Sequence, residues 1–327
     1  MLLDPNCSKI CVTSRSFSRN EFLKNHLKQK FKNVVFNDAG LSFNKNQLIE
    51  YLKDADGVIL ALDFLDEEVL SSCKKLKVIS KYGVGLDNIS FELLQKYDVK
   101  LGWTGGVNKR SVSELTLGFM LNSIRAAYES SALIQNKTWK QVVGATLTGK
   151  TIGIVGLGHV GKDLVSLLRP FGCKIIAYDT RTDLNKFAKE NSIELVAYNK
   201  LLKESDIVTF HVPLTKKTKS MLNLEHKDLL KKGVILINTA RGGIIDEAAL
   251  CDLLKGGTVS WACLDVLSEE PPQFENHSLL SLPNLTCTTH IGGSASEAIQ
   301  KMGLAAIDGL SNYKDAQFEN FFDYQLP

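Results

Sequence analysis

The sequence has no run approaching the roughly 20 continuous apolar residues needed to cross a bilayer. It also lacks a dominant charge sign: 39 Lys and Arg face 36 Asp and Glu, leaving a formal net charge of +3. Nothing therefore draws the chain toward nucleic acid or anionic membrane, and neither is expected as a partner. The seven cysteines (Cys7, Cys11, Cys73, Cys173, Cys251, Cys263 and Cys287) are odd in number and scattered, with no C-x-x-C pair and no His at zinc spacing. That excludes a disulfide framework or zinc module and predicts reduced, buried thiols. Residues Met1 to Thr13 lack the apolar core of a signal peptide, so a cytoplasmic protein is expected. Internal repeats and low-complexity tracts are missing as well.

What is present is length and rhythm. At 327 residues the chain exceeds the size at which one core usually stops growing, so two domains are expected, and 44% hydrophobic residues suffice to fill them. Short β-branched runs alternate with amphipathic helical stretches, the pattern of α/β units on parallel sheets. Strands are predicted at Lys9 to Thr13, Val34 to Phe36, Val58 to Ala61, Lys77 to Ser80 and Val99 to Leu101. A capping box of Ser18 with Glu21 opens a predicted helix to Phe31. From Ser111 to Gln135 a long, largely apolar helix is predicted, opened by a second box of Ser111 with Glu114 and buried on several sides. A second series then places strands at Thr151 to Val155, Lys174 to Tyr178, Ile207 to His211, Val234 to Asn238, Trp261 to Leu264 and Leu285 to Thr289. Six parallel strands with crossovers make a doubly wound nucleotide-binding domain. The last helix, Ser296 to Tyr313, is free to return to the first series.

Gly156-Leu157-Gly158-His159-Val160-Gly161 matches G-x-G-x-x-G. Alone that is a weak signal, but a strand precedes it, a helical run follows, and the next strand ends in Asp179 at the expected spacing of about 20 residues. Glycines there permit a tight turn and close approach of a pyrophosphate to a helix N-terminus. Asp179 would accept from the adenosine ribose hydroxyls and repel the extra phosphate of NADP, so NAD is the expected cofactor. Arg181 would offset part of that repulsion.

His211, Arg241 and His290 each follow a predicted strand in the second series, where open α/β sheets place their ligands. A guanidinium such as that of Arg241 grips a carboxylate in a bidentate fork and polarises an adjacent carbonyl. For a lone Arg, a solvated position is the competing reading; for His211, contact with the cofactor and packing at the strand end stand level.

Seven blocks in order, KYGVGLDNI from Lys81, GGVNKRSVSELTLGFML from Gly105, VGLGHVG from Val155, HVPLT from His211, NTARGGIIDEAAL from Asn238, LDVLSEEPP from Leu264 and THIGGSASEA from Thr289, resemble the D-isomer-specific 2-hydroxyacid dehydrogenases. The resemblance implies a Rossmann-type doubly wound parallel sheet at residues 104–286. It is inserted into a flavodoxin-like α/β substrate domain at 1–103 plus 287–327. It implies Arg241, Glu270 and His290 as the catalytic trio, with His290 as acid/base and Glu269 as the solvated neighbour of Glu270. A carboxylate beside an imidazole favours the protonated ring that donates to the substrate oxygen as hydride moves between nicotinamide C4 and substrate C2.

By the same resemblance Val84, Gly156, Gly158, His159, Val160, Gly161, Asp179, His211, Val212, Pro213, Thr239, Ala240, Arg241, Asp265, His290, Gly292 and Gly293 would line NAD, with Asp265 on the carboxamide. The turn Tyr82, Gly83, Val84 and Gly85, with Asn108, Arg241 and His290, would meet the substrate. A homodimer through the helix beginning near Ser111 is implied too.

Substrate choice is expected to depend on Ala61-Leu62-Asp63-Phe64-Leu65. Phosphoglycerate dehydrogenases tend to place arginine there, whereas this loop has none and Asp63 would repel a phosphate. With the chain ending at 327, no regulatory domain of the kind appended to some of them is expected. A small unphosphorylated 2-oxo acid, glyoxylate, hydroxypyruvate or pyruvate, is expected ahead of 3-phosphoglycerate. A different class, an NAD(H)-sensing corepressor-like binding protein, shares the trio. Formate dehydrogenases and adenosylhomocysteine hydrolases fit it poorly.

Overall fold

A computed structural model describes residues 2–321 and resolves them into two compact units. One takes the chain as far as Asn108 and resumes at Ser296; the other is Lys109–Ala295.

In the first unit, strands β1 (Lys9–Val12), β2 (Asn33–Phe36), β3 (Gly57–Leu60), β4 (Val78–Lys81) and β5 (Lys100–Gly102) form one sheet in the order β2-β1-β3-β4-β5. All neighbours are parallel. This is the flavodoxin-like order. Parallel strands covered on both faces read as continuous apolar runs rather than alternating ones, and β3 is buried throughout. One face packs Ile10, Val12, Ile59 and Val78 with Leu23 and Leu27 of the helix Glu21–Lys30 and with Ala306, Ile307 and Leu310 from the end of the chain. The return is sealed where Leu101 and Lys314 exchange backbone hydrogen bonds of 3.0 Å each.

In the second unit, β6 (Thr151–Val155), β7 (Lys174–Tyr178), β8 (Glu194–Leu195), β9 (Ile207–Phe210), β10 (Val234–Asn238), β11 (Val259–Leu264) and β12 (Leu285–Cys287) run β12-β11-β10-β9-β6-β7-β8. All are parallel. The order is doubly wound, with the chain reversing direction at the β6/β9 junction. The sheet has one strand more than the sequence suggests, because β8 is two residues, one of them charged, with no apolar run to reveal it.

Several local expectations are corrected. Ser18 does not cap a helix: its hydroxyl accepts from Asn37 N–H at 3.0 Å, and Asn20 caps Glu21–Lys30 by accepting from Leu23 N–H. Ser111 does not cap either, since it lies inside the helix Lys109–Ile124 and its hydroxyl donates to Gly292 C=O at 2.6 Å. The predicted helix to Gln135 is two helices. Ala126, with φ of 51°, breaks it before Ala127–Gln135, whose residues are none of them buried. The first of the two contributes Phe119, Met120 and Ile124 to the core beside Leu164 and Val165.

The unit boundaries fall later than 103/104 and 286/287. β12 pairs with β11, and Ser111 holds both Gly292 and Ala295, so the turn beyond β12 stays with the second sheet. Among the cysteines, Cys7 is exposed and Cys173 and Cys287 are partly covered, so burial is not general; all seven are free. Among the described residues no helix is long and apolar enough to cross a membrane, and no group of three His, Cys, Asp or Glu is arranged to hold a metal.

Candidate active site

The glycine-rich turn joins β6 to the helix His159–Leu168. Gly156 has φ of 97°, and a Cβ there would lie 2.6 Å from His211 C=O and 2.9 Å from Val212 Cγ1. A Cβ on Gly161 would lie 2.1 Å from Gly156 C=O, so only glycine lets the helix start this close to the strand. Gly158 is different. It is the N-cap, with no side chain bonded there, and a Cβ on it would meet no atom within 4 Å. An open space over a helix N-terminus fits a dinucleotide's pyrophosphate. His159 and Val160 form the first turn, where Val160 C=O accepts from Ser113 Oγ at 3.2 Å.

Asp179 follows β7, and its carboxylate accepts from Leu157 N–H at 2.8 Å, which fixes it against the turn. Arg181 donates Nε to one oxygen at 3.1 Å and Nη2 to the other at 2.9 Å, a bidentate fork. Burial works against the Asp179 carboxylate, but these hydrogen bonds outweigh it and hold its pKa below the usual carboxylate range.

His211 follows β9 and turns its ring back on that strand, Nε2 lying 3.0 Å from Thr209 Oγ1. Of its two readings, the side chain takes strand-end packing, while its carbonyl is the part beside Gly156. Although the residue is partly covered, desolvation of the imidazole pushes its pKa down to about 3. The unfolded chain then binds a proton the folded one refuses, so stability is full above pH 6.5 and falls as pH drops toward 3. Between pH 7 and pH 5 this one group should remove about 2 kcal/mol of unfolding free energy. Urea unfolding at the two pH values checks it, and His211→Asn should flatten the difference. An equal fall in that variant would sink the assignment.

Arg241 sits on the turn after β10. Buried Asn238 shapes that turn, accepting from Ala240 N–H at 3.0 Å and donating to Arg241 C=O at 2.7 Å. Thr239 is spent inward, its hydroxyl 3.0 Å from that of Thr116. A Cβ on Gly242 would lie 2.0 Å from Leu267 C=O, so the Arg241 turn lies flush against the turn that follows β11. Glu270 belongs to that second turn and precedes Pro271 through a cis peptide. Its Oε1 accepts from Leu267 N–H at 2.9 Å and its Oε2 lies 2.7 Å from His290 Nδ1. Glu270, not Glu269, meets the histidine. With Nδ1 so engaged and half the side chain exposed (50%), Nε2 is the nitrogen left for a ligand.

His290 has φ of 55°, a left-handed conformation that costs a non-glycine residue of order 1–3 kcal/mol and persists only where neighbours impose it. The neighbour is Asp265. Fully buried at 1% exposure, it accepts from Thr288 Oγ1 at 2.6 Å, Ile291 N–H at 2.8 Å and Gly292 N–H at 2.7 Å. Its own carbonyl accepts from His290 N–H at 3.0 Å. By resemblance Asp265 meets only the cofactor; its hold on the histidine's turn leaves no mark in the sequence beyond its place just past β11. Gly293 continues this turn, partly covered. Pro213 lies on the turn after β9, where its C=O accepts from Thr218 Oγ1 at 2.6 Å.

Tyr82, Gly83, Val84, Gly85 and Asn108 all lie in the first unit. Tyr82 buries its ring edge-on to Phe17 with centroids 5.5 Å apart, which raises the phenol's pKa and leaves only its backbone for the turn. Gly83 has φ of 126°, and Val84 C=O accepts from Trp103 Nε1 at 3.2 Å. Asn108 is buried. In the loop after β3, Asn88 Nδ2 donates to the carbonyls of Ala61 (3.1 Å) and Asp63 (2.6 Å), and Lys81 Nζ also donates to Ala61. Leu62 and Phe64 are left 88% and 57% exposed.

Residues 117–292 match the family model described as D-isomer specific 2-hydroxyacid dehydrogenase, NAD binding domain. The chain is 38% identical over 270 residues to a D-3-phosphoglycerate dehydrogenase of Methanocaldococcus jannaschii, covering 81% of this chain but only 51% of that protein. It is 36% identical over 271 residues to a hydroxypyruvate reductase of Thermotoga maritima, covering 81% and 86% respectively. Among solved structures, a D-lactate dehydrogenase from Aquifex aeolicus complexed with NAD and lactic acid superposes with a TM-score of 0.77 at 26% identity, covering 92% of this chain and 94% of that one.

Proposed function

We propose a reaction for this chain, which belongs to the D-isomer-specific 2-hydroxyacid dehydrogenases, NAD-dependent oxidoreductases acting on CH–OH donors. It is the interconversion of a small, unphosphorylated 2-oxo acid with its 2-hydroxy acid. The observation that carries this reading is the 2.7 Å pair of Glu270 Oε2 and His290 Nδ1. An imidazole so paired has Nδ1 engaged and presents Nε2 to a substrate oxygen. NAD, when bound, supplies the hydride donor or acceptor.

The residues of this chain do the rest. The turn Gly156–Gly161 and the N-terminus of the following helix receive the pyrophosphate, and Asp179 faces the adenosine ribose. Val212, Pro213, Ala240 and Gly293 line the remainder. Asp265, with one lone-pair position beyond the three hydrogen bonds it already accepts, takes the carboxamide. Arg241 grips the substrate carboxylate and polarises the carbonyl. His290 delivers a proton to the carbonyl oxygen during reduction and removes it during oxidation.

An unphosphorylated substrate is supported by the loop Ala61–Leu65, on which the resemblance makes substrate choice depend: it carries an exposed leucine, an exposed phenylalanine and an aspartate, and no cation. Glyoxylate, hydroxypyruvate and pyruvate are the candidates. Steady-state turnover with NADH and these three acids beside 3-phosphohydroxypyruvate tests it. Turnover of the phosphorylated acid alone would refute the substrate class, and tight NADH binding without turnover of any would favour a sensor. We also propose a homodimer, through the helix Lys109–Ile124 and the segment after it, where Ile134, Trp139 and Val143 leave apolar side chains exposed. Sedimentation of the purified chain decides that point.

A further inference from the structure

Glu247 is the first residue of the helix Glu247–Lys255, where an acidic side chain ordinarily serves the helix terminus. Here that task is already done by Asp246, which accepts from Ala249 N–H at 2.9 Å. Glu247 reaches instead to the turn that carries Glu270: its Oε1 accepts from Ser268 N–H at 2.6 Å, a short, charge-assisted bond. Its Oε2 lies 3.6 Å from His277 Nε2.

The peptide between Leu267 and Ser268 is therefore clasped from two sides. Its carbonyl lies against Gly242, in the turn that bears Arg241, and its N–H is held by Glu247. The preceding N–H, that of Leu267, is taken by Glu270 itself. With Oε1 of Glu270 anchored to this turn, the position of the turn sets where Oε2 meets His290. We infer that Glu247 is a positioning residue for the acid/base pair: by holding Ser268 it fixes the turn from which Glu270 works against the turn of Arg241. The inference rests on the Glu270–His290 reading proposed above.

The test compares Glu247→Ala, Glu247→Asp and Glu247→Gln with the wild-type enzyme in kcat, KM, Tm and the pH profile of kcat/KM. A reacting group displaced by about 1 Å costs up to a hundredfold. Glu247→Ala should lower kcat by between about ten- and a hundredfold, move KM for the 2-oxo acid far less, and shift the pH profile toward that of Glu270→Gln. Glu247→Gln keeps an oxygen for Ser268 N–H and should restore kcat to within about threefold.

Glu247→Asp keeps the charge and the helix terminus but withdraws the acceptor by one methylene; it should show a partial loss even if the alanine variant fails to fold. Wild-type kcat and pH profile in the alanine or aspartate variant, with only Tm lowered, would overturn the inference. So would a glutamine variant as impaired as alanine. If His290→Ala and Glu270→Gln lose turnover while the Glu247 variants do not, only this inference fails. If those two keep turnover, the underlying reading fails.

Discussion

His290→Ala is expected to lose about a thousandfold in kcat for reduction of the 2-oxo acid while NADH affinity stays within about threefold. General acid catalysis by a positioned imidazole contributes two to four orders of magnitude, and the variant removes the imidazole that Glu270 holds. The glycine-rich turn and Asp179 lie on other strand ends, β6 and β7, so cofactor binding should survive. Stopped-flow reduction and an NADH fluorescence titration separate the two quantities. Glu270→Gln gives the complementary result: an amide cannot make the charge-assisted bond to Nδ1, so kcat should fall while NADH affinity holds. Turnover near wild type in His290→Ala would end the acid/base assignment.

Asp265→Asn carries the second large effect, and it couples activity to stability. The carboxylate receives three donors, Thr288 Oγ1, Ile291 N–H and Gly292 N–H, in a fully buried site. An amide offers one oxygen and turns a donor toward donors, leaving at least one buried N–H or O–H unpaired, at a cost of about 1–3 kcal/mol. The same bonds impose the left-handed backbone of His290, which relaxes once they are lost. We expect a clear fall in Tm together with a loss of kcat on the order of a hundredfold, since the acid would be displaced as well as the fold weakened. Thermal unfolding and kinetics on one preparation check it. A variant that melted earlier yet turned over normally would show that Asp265 holds the fold but not the histidine.

The sequence and the structure agree where a long apolar pattern or a glycine turn announces itself, and diverge where a side chain has two possible partners. β6, β7 and β10 run over the residues the alternation predicts, because buried parallel strands are written as unbroken apolar runs. β8 left no such trace at two residues. Both predicted capping boxes were real spacings put to other use: Ser18 holds Asn37 and Ser111 holds the turn at Gly292, partners far away in the chain that local spacing cannot disclose.

The candidate site divides the same way. Arg241 and His290 stand at strand ends and within motif blocks, both legible. Glu270 was legible by resemblance and by its place before Pro271. Asn238, Asp265 as the anchor of His290, and Glu247 were not, since each acts on backbone N–H or C=O groups of a turn whose path only the fold determines.

The first unit draws its chain from both sides of the second, and that has a consequence during synthesis. The residues of the second unit leave the ribosome in one contiguous stretch and can close their sheet as soon as β12 is out. The first five strands emerge earlier but wait, because Ala306, Ile307 and Leu310, which complete one face of their sheet, are more than 200 residues away. At ordinary elongation rates that interval is on the order of ten seconds or more. For that time Ile10, Val12, Ile59 and Val78 form an apolar face that the helix Glu21–Lys30 covers only in part. The nascent chain is therefore most exposed to aggregation and to chaperone capture through its N-terminal third, even though that third is the first to be made.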